Sequence, residues 1–475
     1  MSRLRGYLFG LASLAIGAWL AIGTPAAAAE PRRQNVLLIV ADDLNNHLGC
    51  YGYDVKTPAI DELARRGMRF DRAYCQVPVC NPSRVSFLSG LRPDRTRVYM
   101  LVERTRSHLG DWMMLPEYFR KNGYFTSGVG KIYHTGEGFE DPQSWDYELR
   151  EFGKRPSLDQ IVKWREPDGP GKHTTDWAWL KTADEETPDG IVARKAVEIM
   201  KQAVSERRPF FLGVGFRRPH APYAAPQKYF ELYPPDSIRL PDAPPAGHFE
   251  NLLPAALNYQ PGGRPLTEAE QRELIAAYYA CTSFVDAQVS LLLEAVDDLQ
   301  LWDDTVVVFL GDHGYHLGEH GGLWHKMSLF EESTRVPLVV WAPGMRARGQ
   351  ACNQLVELLD LYPTLVTQCG LPQRSGLDGV DLSPLLDDPS RPVKQAAYSM
   401  TTRDESVPPN HEKVMSYQGR SVRTDRWRYT EWDGGRRGVE LYDHESDPHE
   451  WHNLANEPQH ADIIRNLKKL LAPEK

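Results

Sequence analysis

The sequence is poor in cysteine and has no run of basic residues. Six cysteines in 475 residues are too few for disulfides to be the main stabilising element of the fold, although an oxidising compartment would permit one or two. Their spacing contains no zinc-type pairing. The 55 basic residues are outnumbered by 64 acidic ones, and no cluster of them suits a phosphate backbone. These absences argue against a disulfide scaffold, and we expect no nucleic-acid partner.

The first thirty residues differ in character from the rest of the chain. Arg3 and Arg5 precede an apolar stretch from about residue 7 to residue 22, and a run of small residues follows at 26–29. This order is typical of a secretory signal with an Ala-x-Ala cleavage site, so we expect residues 1–29 to be removed. The mature protein would be periplasmic or secreted, without stable membrane insertion. The alternative is a retained anchor, since the stretch approaches the roughly 20 residues of a spanning helix.

The remaining chain has the composition of a folded globular protein, with 41% hydrophobic and 25% charged residues. Short, continuous apolar runs at 35–41, 210–216 and 305–310 predict parallel strands that are buried on both faces. Predicted helices alternate with them, at residues 59–67, 114–122, 191–205 and, after a capping box at Thr267, to about 298. The alternation predicts an α/β fold, a large mixed and mostly parallel sheet flanked by helices.

The pattern changes after about residue 390. Hairpin-like strands at 396–400, 420–432 and 439–443 precede a helix near 461–471. We therefore expect a main domain over residues 30–390 and a small C-terminal α+β subdomain over residues 391–475, with a short antiparallel sheet. Two stretches rich in proline, glycine and charge, 135–188 and 223–266, predict long surface excursions that could shape a substrate pocket.

Polar residues follow the three apolar runs. Asp42 and Asp43 end the first run, Asp312 and His313 follow the third, and His220 lies just beyond the second. Ligands of open α/β sheets bind beyond the carboxyl ends of the strands, so we expect these side chains to converge. Grouped carboxylates repel one another unless a cation neutralises them, and an oxygen-rich set favours Ca²⁺ or Mg²⁺ over Zn²⁺. Each carboxylate taken alone could instead cap a helix or form a turn.

Residues 80–90 read CNPSRVSFLSG and contain the most specific motif of the chain. By itself, Cys80 would be an inert buried thiol or half of a disulfide, with Cys75 as the nearest partner. The pattern Cys-x-Pro-Ser-Arg followed by Leu-Ser-Gly resembles the signature of the type I sulfatases. In that family the cysteine is oxidised after translation to formylglycine by a separate maturation enzyme.

The resemblance extends across nearly the whole mature chain. Segments that look like the iduronate-2-sulfatase branch of the family lie at residues 38–52, 130–134, 218–220, 311–314 and 318–330. Residues 440–443 and 447–448 resemble the small C-terminal domain of the family. The resemblance implies an alkaline-phosphatase-like fold and a calcium-dependent hydrolase of sulfate esters.

The resemblance also implies a role for each matching residue. A calcium ion would be bound by Asp42, Asp43, Asp312 and the formylglycine formed from Cys80, with His313 as the fifth member of the set. Many relatives carry asparagine at the position of His313, and imidazole is a poor partner for hard Ca²⁺. Arg84 would hold the formylglycine, and the sulfate would be surrounded by Lys131, His134, His220 and Lys326. Taken singly, these lysines could be solvated surface residues and these histidines structural ones.

The chemistry of a hydrated aldehyde explains why an ordinary nucleophile would not serve. A serine or cysteine that attacked a sulfate ester would end as a stable covalent sulfate. In a gem-diol, one hydroxyl attacks sulfur while the other remains, so a base can later remove its proton and expel sulfate. A sugar alkoxide is a poor leaving group, so it needs an acid. His220 is the candidate acid, and His134 is the candidate base.

The sequence therefore predicts an exported sulfatase that removes O-sulfate from a sulfated carbohydrate, with a 2-O-sulfated uronate at a chain end as the candidate substrate. Two alternatives remain open. The same fold and metal crevice serve phosphomonoesterases and phosphonate hydrolases. A non-catalytic binder of sulfated glycans would keep Cys80 as a thiol.

Overall fold

The computed structural model describes residues 33–150, 158–165, 176–257, 266–407 and 412–471. The predicted signal segment, residues 1–29, lies outside these ranges. The strands are β1 (Asn35–Asp42), β2 (Met68–Tyr74), β3 (Phe125–Gly130), β4 (Tyr147–Leu149), β5 (Ile161–Arg165), β6 (Trp177–Leu180), β7 (Phe210–Pro219), β8 (Tyr223–Pro226), β9 (Thr305–Gly311), β10 (His316–Leu317), β11 (Trp324–His325), β12 (Arg335–Trp341), β13 (Gln350–Cys352), β14 (Val356–Glu357), β15 (Ala397–Val407), β16 (Glu412–Arg423), β17 (Trp427–Trp432) and β18 (Val439–Asp443).

The helices are α1 (Pro58–Arg66), α2 (Cys80–Ser89), α3 (Pro93–Thr96), α4 (Leu115–Lys121), α5 (Pro188–Ser205), α6 (Gln227–Phe230), α7 (His248–Asn251), α8 (Glu268–Asp298), α9 (Glu319–Gly322), α10 (Glu331–Thr334), α11 (Leu361–Gln368), α12 (Ser383–Asp387) and α13 (Ala461–Leu471). The capping box predicted at Thr267 is present, because its hydroxyl accepts from the Glu270 amide and the Glu270 carboxylate accepts from the Thr267 amide.

A nine-stranded sheet forms the centre of the molecule, in the order β13-β2-β12-β9-β1-β7-β3-β4, with β14 also paired to β2. The strand β1 lies between β7 and β9 and is parallel to both, and all its residues are buried. Its continuous apolar sequence is the one that such a position requires. Only β12 among these strands is antiparallel to its neighbours, β2 and β9. The predicted fold class is therefore confirmed.

Two groups of helices pack on this sheet. One group consists of α1, α5 and α8, of which α5 and α8 contact β7; the other consists of α2, α4 and α11. Among the residues in the ranges above, no helix combines the length and the apolar character needed to cross a membrane.

The C-terminal residues form a four-stranded antiparallel sheet, β15-β16-β17-β18, against which α13 packs. The prediction of one strand over residues 420–432 is wrong: β16 ends at Arg423 and β17 begins at Trp427. Between them the Thr424 amide donates to the Trp427 carbonyl at 2.8 Å, which closes a tight turn. Threonine and aspartate at 424–425 supply the turn without the glycine or proline that would have marked it. This sheet belongs to the same compact unit as the large sheet, Arg33–Lys475.

The two predicted excursions contribute a third, smaller sheet. The strands β5 and β6 come from the first excursion, and β8, at the start of the second, pairs in parallel with β6. Residues 151–157, 166–175 and 258–265 of these excursions lie outside the described ranges.

Candidate active site

The carboxyl end of β1 places the first two candidate residues. Asp42 is the last residue of the strand, and Asp43 turns the chain with a φ of 63°, a conformation that aspartate tolerates better than most side chains. The Tyr278 hydroxyl of α8 donates to the Asp43 carbonyl at 2.7 Å and accepts from the Asn45 amide at 2.9 Å. A buried tyrosine therefore fixes the turn that aims both carboxylates.

The helix α2 places the candidate nucleophile. Cys80 is its first residue, and all ten residues of the helix are buried. The Sγ atom of Cys80 lies 3.1 Å from Lys326 Nζ, 3.4 Å from His313 Nε2 and 3.7 Å from Asp43 Oδ1. Burial and Asp42 would raise the pKa of the thiol, but Lys131 and Lys326 outweigh them and hold it well below its usual range.

Arg84 lies one helical turn after Cys80 and joins two of the aspartates. Its Nε donates to Asp312 Oδ2 at 2.8 Å and an Nη group donates to Asp42 Oδ1 at 3.1 Å, with all three side chains fully buried. The other Nη group donates to the Lys131 and Ile132 carbonyls. Arg84 thus orients the carboxylates and the chain segment that carries Lys131.

Both lysines are buried against aspartates, so the alternative that they are solvated surface residues is wrong. Lys131 is 4% exposed and pairs with Asp42, and Lys326 is 3% exposed and pairs with Asp43. Burial would raise the pKa of each aspartate, but the surrounding cations hold both well below the usual range. The site therefore keeps both carboxylates ionised.

The strand β7 makes room for Lys131 through its glycines. A Cβ on Gly215 would lie 2.1 Å from the carbonyl carbon and oxygen of Lys131, and the Lys131 amide donates to the Gly215 carbonyl at 2.8 Å. Any larger residue at position 215 would push the lysine segment away from the sheet.

Four predicted ligand residues have atoms close enough to share a cation. Oxygen, nitrogen and sulfur atoms of Asp42, Asp43, Cys80 and His313 all lie within 4.8 Å of one another. Asp43 Oδ2 is buried and accepts no hydrogen bond, which is unusual for an ionised carboxylate and suits a cation. Two carboxylates fit a hard divalent cation, and at position 80 an oxygen ligand would fit it better than sulfur.

Asp312 and His313 differ from Asp42 and Asp43 in their hydrogen-bond partners and in the direction of their pKa shifts. Asp312 Oδ1 accepts from the backbone amides of Asp43 and His313, each at 3.1 Å, and Oδ2 accepts from Arg84, so both its oxygens have protein partners. Burial raises the pKa of Asp312 to about 6, against the influence of Arg84. Burial would lower the pKa of His313, but Asp312 and other acidic neighbours raise it to about 10. Its Nε2 lies 3.2 Å from Asp43 Oδ1.

The two candidate proton-transfer histidines have different surroundings. His220 is partly exposed, with 29% of its side chain accessible, and its Nε2 lies 3.9 Å from Asp43 Oδ2. His134 Nδ1 is buried without a hydrogen-bond partner. Burial, followed by Lys131, lowers the pKa of His134 to about 3, so its imidazole is neutral near pH 7.

Several residues near the site have contacts that the sequence did not predict. Tyr278 reads as an ordinary core aromatic of α8, and the Ser83 hydroxyl donates to the Asp312 carbonyl from within the motif. The Asn81 amide donates to the Met100 carbonyl at 3.2 Å and the Glu103 carbonyl at 2.7 Å, which ties a loop to the nucleophile's helix. Long-range partners of this kind leave no local pattern. All six cysteines are free thiols, so the alternative of a disulfide between Cys75 and Cys80 is wrong.

The fold is alkaline-phosphatase-like, as the sequence predicts, with the candidate residues at the carboxyl ends of the strands of a mixed sheet. The fold matches phosphonate monoester hydrolase of Agrobacterium radiobacter with a TM-score of 0.75 at 23% identity, over 92% of this chain and 95% of that one. It matches a 2-O GAG sulfatase with a TM-score of 0.68 at 24% identity, over 92% and 91% of the two chains.

Sequence comparison defines the family. The Sulfatase family model matches residues 34–371, and the model named N-sulphoglucosamine sulphohydrolase, C-terminal, matches residues 318–475. Iduronate 2-sulfatase of Mus musculus is 34% identical, with 91% of this chain and 93% of that protein aligned. The chain belongs to the sulfatase family and is a sulfatase. The predicted resemblance to the iduronate-2-sulfatase branch is confirmed.

Proposed function

We propose that this protein removes O-sulfate from a sulfated carbohydrate, with a terminal 2-O-sulfated uronate as its substrate, by means of a formylglycine derived from Cys80 and a calcium ion. The observation that carries the proposal is the position of Cys80 Sγ, which lies beside Lys326 Nζ and near an Asp43 carboxylate with an unsatisfied oxygen. The similarity to iduronate 2-sulfatase supports the choice of sugar.

The residues that would hold calcium are Asp42, Asp43 and position 80, with Asp312 and His313 beside them. When bound, the ion supplies Lewis-acid polarisation of a sulfate oxygen and of the attacking hydroxyl. The aldehyde hydrate at position 80 supplies one hydroxyl for attack and a second for release.

The remaining residues act on charge and protons. Lys131 and Lys326 are cations at the floor of the site, and they would stabilise the negative charge that develops on the sulfate oxygens. His220, whose side chain is partly exposed, would protonate the departing sugar oxygen. His134, whose lowered pKa keeps it neutral, would accept the proton from the remaining hydroxyl. Arg84 is a positioning residue, because its fixed pairs with Asp42 and Asp312 hold position 80 and Lys131 in place.

The proposal also includes export of the protein and maturation of Cys80. Residues 1–29 would direct export to the periplasm or beyond and then be removed. A formylglycine-generating enzyme in the same cell would remove two electrons and two protons from the Cys80 side chain with an oxidant such as O₂. Water would then replace the sulfur, which leaves as sulfide, to give the aldehyde.

The test is a comparison of rates on defined substrates by protein with confirmed conversion of Cys80. We expect turnover of sulfated oligosaccharides that end in a 2-sulfated uronate, slower turnover of aryl sulfate, and much slower turnover of aryl phosphate and phosphonate. The Cys80→Ala variant should be inactive, whereas Cys369→Ala, which removes another buried thiol, should retain activity.

Three outcomes would contradict the proposal. Faster hydrolysis of phosphate or phosphonate would favour the phosphoryl-transfer alternative. Tight binding of sulfated glycans without turnover would favour the non-catalytic binder. Broad activity on internal sulfate esters would contradict the chain-end substrate.

A further inference from the structure

A second pocket, separate from the candidate active site, lies between the edge of the large sheet and the C-terminal sheet. It encloses about 700 Å³ and is lined by β2, by the start of β12, by the β16–β17 turn and by the residues after β18. None of the candidate active-site residues lines it. Five arginines do: Arg69, Arg72, Arg335, Arg423 and Arg426.

Three of these arginines are balanced by carboxylates at the mouth or wall of the pocket. The pairs are Arg69 with Asp71 at 2.6 Å, Arg72 with Asp425 at 2.9 Å, and Arg426 with Asp443 at 2.7 Å and Glu445 at 2.8 Å.

The lining carries more positive than negative charge, because its five arginines face four carboxylates, those of Asp71, Glu331, Asp425 and Glu445. Arg335, Arg423 and Arg428 all lie around Glu331, and Arg428 pairs with both Glu331 and the fully buried Glu450. Three guanidinium groups therefore share two carboxylates. Arginine keeps its charge in proteins, so this positive charge calls for an anion.

Arg423 also has an unsatisfied donor. Its side chain is 6% exposed, and its Nε is buried without a hydrogen-bond partner, 3.7 Å from the nearest Glu331 oxygen. An Nη group donates to the Thr424 carbonyl. Leaving a charged donor buried and unpaired is costly, and an oxyanion in the pocket would remove the cost.

We propose that this pocket binds a sulfate or carboxylate group of an acidic sugar residue, remote from the ester that is hydrolysed. Arginine forks suit both groups, because each presents oxygens that can accept parallel hydrogen bonds. The volume exceeds what a bare ion needs and suits a whole sugar ring, so the sugar-borne group is favoured over free sulfate. The identity of the ligand rests on the proposed function, whereas the anion site itself does not.

The test measures binding to the Cys80→Ala protein, so that no substrate is consumed. Titration calorimetry with a long sulfated oligosaccharide, a sulfated disaccharide and inorganic sulfate gives the number of sites for each ligand. A crystal soaked with the disaccharide then locates them. We expect two sites for the disaccharide, which is too short to bridge them, one of them with an oxyanion against Arg335 and Arg423.

The variants are Arg423→Gln and, because it is less buried, Arg335→Gln. Each should lower the affinity of the second site for the disaccharide on the order of tenfold or more, which is the effect of losing a charge-assisted hydrogen bond. Arg346→Gln, which removes an exposed arginine that pairs with Asp387, is the matched control and should change nothing. A single site for the disaccharide in the parent protein, or unchanged affinity in both folded variants, would overturn the proposal. Binding of inorganic sulfate without sugar would overturn the assignment to a glycan.

Activity separates this proposal from the proposed function. With the intact Cys80, Arg423→Gln should leave kcat/KM for a small aryl sulfate unchanged and raise KM for the long oligosaccharide. If the protein hydrolysed no sulfate ester, the proposed function would fail, while the site count in the calorimeter would still decide the anion site.

Discussion

Lys131 and Lys326 are buried, unlike most lysines. Lysine is almost never fully buried unless it is paired, and here each lysine is buried against one aspartate of the site. The pairs hold the carboxylates ionised and place two cations beside position 80. The same arrangement lets an acidic protein accept an anionic ester.

Replacing Lys326 by methionine keeps the length of the side chain and removes its charge. Lys326→Met should reduce kcat/KM for sulfate esters by about 10²-fold to 10³-fold, the range for losing one electrostatic contact to a transition state. The measurement is steady-state kinetics on protein with equal conversion of Cys80. Lys394 is a matched control, since it is a buried lysine paired with Glu357 and Asp360 away from the site. Lys394→Met should lower stability and leave kcat/KM intact, and equal kinetic losses in both variants would contradict the role of Lys326.

The effects of replacing His134 and His220 should differ when the leaving group is varied. An aryl oxide leaves without help, whereas a sugar alkoxide needs a proton, so His220→Ala should slow the sugar sulfate far more than the aryl sulfate. His134→Ala should slow both, because it acts after the leaving group has departed. The pH profiles of kcat/KM on the two substrates test His220, because kcat/KM covers the steps up to departure of the leaving group, and the pH profiles of kcat test His134, which acts later. Equal losses from His220→Ala on both substrates would refute the assignment.

At the scale of elements, one buried carboxylate links two helices. Asp286 of α8 is 3% exposed and accepts from the Ile60 amide at 2.8 Å and the Ala59 amide at 3.2 Å, at the first turn of α1. It therefore satisfies orphan donors of a neighbouring helix. Burial raises the pKa of Asp286 to about 7, with the two amides acting in the opposite direction.

The raised pKa predicts how stability depends on pH. An unfolded aspartate titrates near about 4, so between pH 4 and pH 7 the folded protein holds a proton that the unfolded chain has released. This group therefore makes the free energy of unfolding fall as pH rises through that window, by on the order of a few kcal/mol in all. Asp286→Asn cannot titrate, so urea unfolding from pH 4.5 to pH 8 should show it gaining stability relative to the parent as pH rises. A constant difference would contradict the prediction.

Much of the fold could be predicted at this scale, because local sequence determined it. The apolar runs of β1 and β9 and the capping box of α8 are local signals, and the structure has each element where the signal lies. The division between β16 and β17 depends on a turn made by ordinary residues, which periodicity alone does not mark. The sheet β5-β6-β8 joins residues far apart in sequence, and no local pattern specifies such a pairing.

The candidate site was predictable for a different reason. The strand-end position of Asp42, Asp43 and Asp312 follows from fold physics, whereas the importance of Cys80 rests on its motif. Tyr278, which fixes the turn at Asp43, acts through a contact across 235 residues. Neither the strand-end positions nor the motif could predict it.

At the scale of the whole molecule, a cation at the site should stabilise the fold. Asp43 has a buried carboxylate oxygen without a partner, so a bound divalent ion would satisfy it only in the folded state. Calcium at a hundred times its Kd should add about 2.7 kcal/mol to the free energy of unfolding. Thermal unfolding in chelator and in calcium measures the effect, and Asp43→Asn should abolish it. An unchanged Tm of the parent protein on addition of calcium would contradict the proposed metal site.

The proposed mechanism requires that position 80 acts as an aldehyde hydrate. The most direct measurement is mass spectrometry of the peptide that carries Cys80, on preparations matured to different extents, together with sulfate release by the same preparations. We expect turnover to rise in proportion to the fraction of position 80 that is found as aldehyde, and to be absent when position 80 is entirely thiol. Full turnover by a preparation in which position 80 is entirely thiol would contradict it.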